Sequence, residues 1–400
     1  RIAVVEDVGV ETKSNCLAGK KVILCVSGGI AATEAIKLSR ELRRHGAIVY
    51  PMMTKSAEKV ITPLALSWGS GMEVISEWES KMSQLGSFDA LILAPATRNT
   101  IAKFAHGILD SPVMMAISAA SGRGNPIMFV PSMHDDLFGD PVTKELLDSV
   151  NNMGISIFLD DSREGRRKQP DSISIVGNFC NIVNSKLPNR KKVAVTLGAN
   201  SSPIDSVRFI QNYSTGTTGW AIAEHFHRMG HEVVCVSGQT TEKPSFSLPD
   251  VRVDSTPEGM LGICLQLANS ENPPESWVHA AAILDYVPEF VEGKRPSGKS
   301  EWEVKLKPTK KHIREISEFA SGSKRIAFKL EVEDDENSLV LRSKELIDNL
   351  GIDAVVANLL SEAKGDLENR CRIVFPDGKV EQISNLRDLS ESLEALISAD

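Results

Sequence analysis

The fold of this chain is decided by the stretch "KKVILCVSGGIAATEAIKLSRELRRHGAIVYPMMT", residues 20–54. An apolar strand is followed by a small-residue turn, a helix with one apolar face, and a second apolar strand. Residues 191–238 repeat this order from "KKVAVTLGAN" to "HEVVCVSG", with a longer insertion between the strand and the helix. Two such βαβ units predict an α/β protein with two doubly wound parallel sheets.

Short apolar runs with the character of buried strands follow each βαβ unit. Ligands of parallel sheets bind beyond the carboxyl ends of the strands, and each run leads into small or polar residues at that end. We therefore expect the binding residues to come directly after the strands. The runs are "DALILAPA" (89–96), "PIMFVPSM" (126–133), "SWVHAAAI" (276–283), "KRIAFKL" (324–330) and "DAVVAN" (353–358).

The length of 400 residues exceeds what one hydrophobic core usually supports, so two domains are expected. Residues 160–192, between the two βαβ units, are rich in charge and contain Pro170 and Pro188. This composition suggests a loop, a helix and then a linker. We expect the boundary near residue 188, which gives domains 1–188 and 189–400.

The composition is that of a soluble globular protein, with 42% hydrophobic and 24% charged residues. An apolar run of about 18 residues is absent, and so is a charged-then-apolar leader at Arg1. We expect a cytoplasmic protein with no membrane partner, although a segment removed before Arg1 would leave no trace. The net charge of −8 argues against a nucleic-acid partner but allows one nucleotide. Six scattered cysteines predict reduced core residues rather than a zinc site.

The insertion in the second unit ends in "NYSTGTTG", residues 212–219, directly before an amphipathic helix. Backbone N–H groups are unpaired at a helix N-terminus, and the helix dipole favours an anion there. Hydroxyls and glycines also permit close approach by a phosphate, so the segment predicts a phosphorylated ligand. An ordinary Ser/Thr helix cap with a turn is the alternative.

Two further segments of the second half suggest nucleotide chemistry. Residues 289–303, "EFVEGKRPSGKSEWE", form either a solvated hairpin or a lid that brings Lys294 or Lys299 over a phosphate. Asp285 in "AAAILDY" is a candidate contact to a metal ion or a nucleotide. A phosphate cradle, an acid and cations together indicate a nucleotide-using transferase or ligase. We expect the nucleotide site to be neither a P-loop nor a dinucleotide fingerprint, and no GxGxxG is present.

Motifs in both halves resemble two enzyme families that occur fused in this order in bacteria and archaea. The second half resembles the phosphopantothenate–cysteine ligase family, and the first half resembles the flavin-dependent phosphopantothenoylcysteine decarboxylase family. This resemblance implies a flavodoxin-like flavoprotein domain followed by a Rossmann-like ligase domain. The motifs are "PIDSVRFIQNYSTGTTG" (203–219), "AAAILDY" (280–286) and "FKLE" (328–331) in the second half, and "SGGIAATEA" (27–35), "PATRNTIAKFAHGILD" (95–110) and "PSMHDDLF" (131–138) in the first.

The ligase resemblance implies that a nucleotide, usually CTP, activates 4′-phosphopantothenate as an acyl-cytidylate, after which the cysteine amine displaces CMP. The choice between CTP and ATP as the nucleotide stays open. Magnesium follows from triphosphate chemistry, with Asp285 as its candidate ligand. Asn212 matches the Asn that handles the acyl intermediate, with Arg208 one helical turn before it, and Lys294 matches the Lys that assists nucleotidyl transfer. The other implied nucleotide contacts are Ser214, Thr215, Gly216, Ala281, Ala282, Phe328 and, at a shifted spacing, Lys344.

The decarboxylase resemblance implies FMN, which oxidises the cysteinyl thiol so that carbon dioxide leaves, and then returns the electrons. His134 matches a position that contacts the substrate, and we take it as the catalytic candidate of this half. Two features favour the archaeal form of the family: the histidine at position 134, and the segment "EGRRKQP" (164–170) in place of a Cys-containing lid. The implied FMN contacts are Ser27, Gly28, Ile30, Thr54, Ala96, Thr97 and Asn99.

The first half departs from its family where proton transfer is expected. A catalytic His usually lies shortly before the strand that reaches "PAT", but residues 77–97 contain no His, and Ser80 or Lys81 occupies the place. His106, in a predicted helix, is either a packing residue or a catalytic one. The decarboxylase half is therefore a divergent working enzyme or an inactive flavin-binding domain.

Subunit contacts are common in both families, so the resemblance also implies a homo-oligomer. The leading hypothesis is a bifunctional enzyme of coenzyme A biosynthesis. One alternative is a ligase whose first domain only scaffolds an oligomer. Another is a regulatory flavoprotein that binds a partner, although a binding module would not need Asn212, Asp285 and Lys294 together.

Overall fold

Two separate sheets organise the chain. The computed structural model describes residues 9–82, 85–159, 169–298, 301–332, 335–364 and 370–399. Contacts within the chain divide it into two units, Arg1–Lys186 and Leu187–Asp400, and each unit has its own main sheet.

The N-terminal unit is a five-stranded parallel sheet covered by helices. Its strand order is β2-β1-β3-β4-β5, and every neighbouring pair is parallel. Its strands are β1 (Lys21–Val26), β2 (Ile48–Met53), β3 (Ala90–Ala96), β4 (Ile127–Pro131) and β5 (Ser156–Ile157), and its helices are α1 (Ala35–Arg44), α2 (Pro63–Ser70), α3 (Arg98–Ala105), α4 (Pro112–Gly122), α5 (Asp135–Gly139), α6 (Pro141–Asn152) and α7 (Ser172–Asn184).

The C-terminal unit is an eight-stranded sheet with two small antiparallel ribbons. Its strands are β6 (Lys192–Leu197), β7 (Ser201–Pro203), β8 (Phe209–Gln211), β9 (Glu232–Ser237), β10 (Asp250–Val253), β11 (Ser276–His279), β12 (Tyr286–Pro288), β13 (Leu306–Pro308), β14 (Lys324–Glu331), β15 (Ala354–Leu359), β16 (Cys371–Val374) and β17 (Val380–Ile383). Its helices are α8 (Thr217–Arg228), α9 (Pro257–Ala268), α10 (His312–Ser317), α11 (Glu336–Leu350), α12 (Leu360–Lys364) and α13 (Leu386–Ser398).

The main sheet of this unit has the order β10-β9-β6-β11-β14-β15-β16-β17. The first six strands are parallel, whereas β16 and β17 add an antiparallel edge. The ribbons pair β7 with β8 and β12 with β13. The predicted α/β class with two parallel sheets is confirmed, but the periodicity of the sequence did not predict the antiparallel edge.

The first βαβ unit forms because its apolar residues are consecutive before the turn, as in a buried strand, and recur at helical spacing after it. Five consecutive residues of β1 are buried, as expected for a strand covered on both faces. In α1 the buried apolar residues are Ala35, Leu38 and Leu42, which share one helix face. The helix ends before Gly46, whose φ of 92° is a conformation that glycine adopts readily.

The predicted burial of the cysteines is confirmed, since all six lie in the interior. None of the helices in the described ranges combines the length and the apolar character that crossing a bilayer requires.

A buried ionic network stabilises the N-terminal unit at the end of α1. The Glu41 side chain is 1% exposed and accepts hydrogen bonds from Lys13 at 2.9 Å and Arg44 at 3.0 Å. His45 Nε2 lies 3.3 Å from the same carboxylate, and His45 Nδ1 lies 2.6 Å from the Ser14 hydroxyl. Burial by itself would raise the pKa of Glu41, but these partners lower it to about 2.

Because the folded pKa of Glu41 is depressed, its stabilisation is fully present above about pH 4.5 and is lost as the pH falls towards 2. Glu41→Gln should lower the opening free energy of α1 at pH 7 by about 1.5 to 3 kcal/mol, since it removes hydrogen bonds to a charged group. It should also flatten the loss of stability below pH 4.5. Hydrogen exchange of α1 peptides, corrected for intrinsic rates, measures both effects.

Lys37→Gln is the matched control, because Lys37 is 73% exposed and pairs with Glu34, the N-cap residue of α1. We expect its effect to stay within about 0.5 kcal/mol. Equal exchange in the two variants would contradict the stabilising role of Glu41.

Candidate functional site

The C-terminal sheet reverses its direction of growth between β6 and β11. From β6 the chain adds β9 and β10 on one side, and it then returns to place β11 on the other side. Backbone hydrogen bonds join the loops after these two strands: Asn200 N–H donates to Ala282 O at 2.9 Å, and Ala282 N–H donates to Gly198 O at 2.8 Å. A crevice at such a reversal is where ligands of doubly wound sheets bind.

A cleft of about 300 Å³ opens at this reversal. Of the residues predicted to bind the nucleotide, it brings together Ser214, Thr215, Gly216, Ala281, Ala282 and Phe328. The other lining residues are Gly198, Tyr213, Thr217, Thr218, Gly219, Ala280, Leu330, Val356, Asn358, Arg370, Cys371 and Leu389.

The N-terminus of α8 forms one wall of the cleft. Gly216 precedes the helix with a φ of 85°, and Thr217 N–H donates to Thr215 Oγ1 at 3.3 Å. A Cβ at Gly219 would come within 2.3 Å of Leu197 Cβ, so glycine lets α8 pack directly against β6. The predicted phosphate turn therefore lies at a helix N-terminus beside a cleft, and the same residues also form the turn that caps the helix.

Asn212 and Arg208 lie on the β7–β8 ribbon rather than on a helix. The expectation that Arg208 precedes Asn212 by one helical turn is wrong, because β8 (Phe209–Gln211) separates them in an extended conformation. Asn212 N–H donates to Asn200 O at 3.1 Å, which ties it to the loop that contacts Ala282. Arg208 instead pairs with Asp205 at 2.8 Å, and its guanidinium lies 4.9 Å from the centre of the Trp302 ring.

The segment that carries Lys294 connects β12 and β13 and is held by the turn between β7 and β8. Ser206 and Gly293 exchange two hydrogen bonds of 3.0 Å, and Asp205 Oδ2 accepts from Arg295 N–H at 3.3 Å. Lys294 lines a groove with Arg295 and Trp302 and does not line the cleft at α8. Lys299 lies outside the described residues.

Residues 293–300 also match the letters GxxxxGK[ST], but the surroundings are not those of a P-loop. A P-loop follows a buried strand and opens a helix. Here the described part of the segment follows β12 of an antiparallel ribbon, and β13 comes next in the described chain.

Asp285 lies in a second cavity next to the cleft. This cavity of about 230 Å³ shares Ala281 and Phe328 with the cleft. The Asp285 carboxylate forms an ion pair with Lys311. Within the described ranges no three His, Cys, Asp or Glu residues converge as metal ligands, so magnesium binding by Asp285 stays a prediction.

The structure does not bring Lys344 to either cavity. It lies on α11, where its ammonium group pairs with Asp348 at 2.6 Å. Two cleft residues with polar or charged side chains, Asn358 and Arg370, were missed by the sequence reasoning. Asn358 is the last residue of the predicted strand "DAVVAN" and could have been found as a polar residue at a carboxyl end. Arg370 lies beside the unpredicted strand β16, and a cation beside an apolar run was the available signal.

The predicted flavin contacts of the N-terminal unit follow β1, β2 and β3, which are neighbours in the parallel sheet. This sheet reverses its growth between β1 and β3, so the contacts converge on its own binding edge. The side chain of Thr97 caps α3 by accepting a bond from Thr100 N–H, and Asn99 lies exposed in the first turn of the same helix. Ile30 is 81% exposed, whereas Ala96 is fully buried.

Ser27 and Gly28 hold this edge together. The Ser27 hydroxyl is buried, donates to Pro95 O at 2.6 Å and accepts from Thr97 N–H at 2.9 Å. A Cβ at Gly28 would come within 2.4 Å of Ser56 Cβ, so only glycine lets the loops after β1 and β2 approach this closely. The hydroxyls of Thr54 and Ser56 lie 3.0 Å apart at that contact.

The histidines of the N-terminal unit lie at helix ends. His134 is exposed and precedes α5, three residues after the end of β4, whereas His106 is the residue after α3. Ser80 and Lys81 are exposed. Most of the "EGRRKQP" segment lies outside the described residues.

Comparisons with known proteins assign both halves. The flavoprotein family model matches residues 10–194, and the model for the DNA/pantothenate metabolism flavoprotein C-terminal domain matches residues 189–397. Among curated relatives, the "Coenzyme A biosynthesis bifunctional protein CoaBC" of Thermococcus kodakarensis is 34% identical and covers 92% of this chain and 91% of its own. The protein of the same name from Methanocaldococcus jannaschii is 32% identical and covers 88% of this chain and 86% of its own.

A solved structure, the DNA/pantothenate metabolism flavoprotein from Streptococcus pneumoniae, covers 52% of this chain and 98% of its own at 24% identity, with a TM-score of 0.46. The curated relatives span both units in one chain, as the motif resemblance predicted, and that prediction is confirmed. The chain belongs to the family of bifunctional coenzyme A biosynthesis proteins, in which a flavoprotein domain precedes a DNA/pantothenate metabolism flavoprotein C-terminal domain.

Proposed function

We propose that this chain ligates cysteine to 4′-phosphopantothenate with CTP and then decarboxylates the product to 4′-phosphopantetheine. The observation that carries the ligase step is the cleft between β6 and β11, where the α8 N-terminus faces small residues at neighbouring strand ends. Such a cleft suits a nucleoside triphosphate, because N–H groups can meet the phosphates and Ala281 and Ala282 leave room for a flat ring.

In the ligase step, the substrate carboxylate attacks the α-phosphorus of CTP and pyrophosphate leaves. The amine of cysteine then attacks the acyl carbon of the acyl-cytidylate and CMP leaves. We assign Asn212 to the acyl intermediate and Lys294 to nucleotidyl transfer, with Ser214, Thr215 and Gly216 at the phosphates. Since Lys294 lines a different groove, its role requires that the segment between β12 and β13 close over the cleft.

Magnesium is the expected counter-ion of the triphosphate. Asp285 is its candidate ligand, and the shared lining residues Ala281 and Phe328 put its cavity next to the cleft. Binding of a metal ion would replace Lys311 as the partner of this carboxylate.

The N-terminal unit fits FMN at the reversal between β1 and β3. The fit rests on the close approach of Gly28 to Ser56, the hydroxyls after β2, and the N-terminus of α3 beside Thr97. When bound, the flavin supplies a two-electron acceptor and donor for oxidative decarboxylation of a cysteinyl thiol. Thr54, Asn99 and the backbone of Gly28 to Ile30 would hold it, and exposed His134 would contact the substrate.

A second candidate function is ligation alone, with the flavoprotein unit serving as a scaffold. The absence of a histidine in residues 77–97 favours it, because no other residue type there titrates near neutral pH. We further propose a cytoplasmic location, which suits a biosynthetic enzyme with small-molecule substrates.

The first test is mass spectrometry of reactions that contain purified protein, 4′-phosphopantothenate, cysteine, magnesium, FMN and either CTP or ATP. We expect 4′-phosphopantetheine with CTP. A product that stops at 4′-phosphopantothenoylcysteine would support the ligase-only function. Product with ATP but not with CTP would overturn the choice of nucleotide, and no amide with either nucleotide would contradict the proposed ligase.

The site assignment predicts that Asn212→Asp and Lys294→Gln each lower the rate of amide formation by at least a hundredfold, about 2.7 kcal/mol of transition-state stabilisation. Both residues lie outside the core, so the fold should persist. Lys305→Gln is the control for Lys294, since Lys305 is exposed and lines the same groove. Near-normal turnover of Asn212→Asp or Lys294→Gln would remove that residue from the site.

We also propose that the ligase unit pairs with a second copy through its two ribbons. The exposed apolar side chains there include Val207 at 60%, Phe209 at 61%, Tyr286 at 56% and Val291 at 61% exposure. An exposed cluster of this kind on a folded unit is typical of a subunit contact.

Phe209→Asp should therefore halve the native mass measured by sedimentation, because a two-fold contact joins two copies. Val253→Asp is the control: Val253 is 68% exposed but lies on the edge strand β10. An unchanged mass in Phe209→Asp would exclude the ribbons as the contact.

A further inference from the structure

We propose that Arg370 is a positioning residue that binds the terminal phosphates of the nucleoside triphosphate in the cleft at α8. This inference rests on the proposed ligase function and names a residue of the cleft lining that supplies positive charge at that site. It concerns a residue to which neither the βαβ pattern nor the motif resemblance assigns a role.

Arg370 lies between the edge strands and the N-terminus of α8. Its backbone N–H donates to Ile383 O at 2.9 Å, which fixes its main chain to β17. Its Nη2 donates to Thr218 Oγ1 at 3.0 Å, so the guanidinium reaches the first turn of α8. Both Arg370 and Thr218 line the cleft. Arg370 is thus held by β17 at its main chain and by Thr218 at its guanidinium group, which lies beside the first turn of α8.

The charge distribution of the cleft singles out this residue. Among the described residues that line the cleft, Arg370 is the one with a charged side chain. A nucleoside triphosphate carries several negative charges, and helix N–H groups offset only a fraction of one charge. Two lysines that do not line the cleft are engaged elsewhere: Lys344 pairs with Asp348, and Lys311, in the adjoining cavity, pairs with Asp285.

The described residues around Arg370 leave its guanidinium without an ion pair. In the described part of the chain, no carboxylate lies within ion-pair distance of its guanidinium. Burial lowers the pKa of this group, as expected for a cation partly removed from water. An anionic ligand would supply the missing counter-charge, and arginine binds phosphate oxygens through two parallel hydrogen bonds.

The layout of the cleft decides which part of the nucleotide meets Arg370. Ala281 and Phe328 lie where the cleft adjoins the Asp285 cavity. Thr217, Thr218 and Arg370 belong to the wall formed by the α8 N-terminus and the edge strands. The base, the sugar and the α-phosphate, with the magnesium ion proposed at Asp285, therefore fit the first end, and the β- and γ-phosphates fit the second. When the substrate carboxylate forms its bond to the α-phosphorus, the bond to the bridging oxygen breaks, and pyrophosphate leaves with the electron pair beside Arg370.

The test compares the binding of CTP, CMP and inorganic pyrophosphate by calorimetry to the full-length wild type and to Arg370→Gln, with magnesium present. We expect Arg370→Gln to weaken CTP and pyrophosphate ten- to a hundredfold, which corresponds to about 1.4 to 2.8 kcal/mol. The affinity for CMP should stay within twofold, because CMP lacks the terminal phosphates. Arg370→Lys should recover part of the loss, since it restores the charge without the fork.

Lys379→Gln is the matched control, because Lys379 is an exposed cation in the turn between β16 and β17. It should bind all three ligands like the wild type. Equal weakening of CMP and CTP by Arg370→Gln would mean that Arg370 only shapes the cleft, and no weakening of CTP would remove it from the site. The wild type is also titrated with ATP. Binding of neither CTP nor ATP by the wild type would overturn the proposed ligase function itself, so the two failures are distinguishable.

Discussion

The parallel pairing of β6 with both β9 and β11 is the constraint on which the ligase site depends. Parallel strands bring their carboxyl ends to one edge, and the chain can leave that edge in two directions only where the sheet reverses. A close backbone approach and two hydrogen bonds hold the chain in place at this reversal. Gly198 has a φ of 79°, and a Cβ on it would come within 2.8 Å of Gln239 O. Ala199 and Gln239 exchange two hydrogen bonds, of 2.8 and 2.9 Å.

In both units the two ends of the parallel strands differ. Buried ionic networks lie near the amino ends, and the proposed ligands bind at the carboxyl ends. At the end where α1 returns to β2, Glu41 accepts bonds from Lys13, Arg44 and His45. At the corresponding end of the second unit, Glu394 accepts from Arg190 at 3.2 Å and lies 2.9 Å from His231 Nε2. Lys191 N–H donates to His231 Nδ1, which leaves the ring proton on Nε2 to meet the carboxylate. Burial opposes ionisation of Glu394, yet these partners lower its pKa to about 2.

The carboxyl ends of the strands in the second unit differ from the amino ends, because few charged side chains line the cleft there. Small residues, hydroxyls and backbone N–H groups line the cleft at α8. Such a surface can accept a highly charged ligand without first breaking its own ion pairs, which lowers the cost of desolvation on binding. Under the proposed function, the cations for the ligand come from outside the βαβ unit: Arg370 precedes the antiparallel strand β16, and Lys294 lies in the β12–β13 segment.

The sequence by itself determined the two βαβ units, because a buried strand and an amphipathic helix have different periods and glycine marks their junctions. It also determined that Ser214, Thr215 and Gly216 precede a helix, since that arrangement is local. It could not place Arg370 beside Thr218, because these residues are far apart in the chain and meet only when β16 joins β15 in the antiparallel sense. Nor could it find the hydrogen bonds that attach the Lys294 segment to the β7–β8 turn, or the extended strand between Arg208 and Asn212. Local propensity fixes the elements, whereas contacts between distant strands and loops depend on the closed tertiary structure.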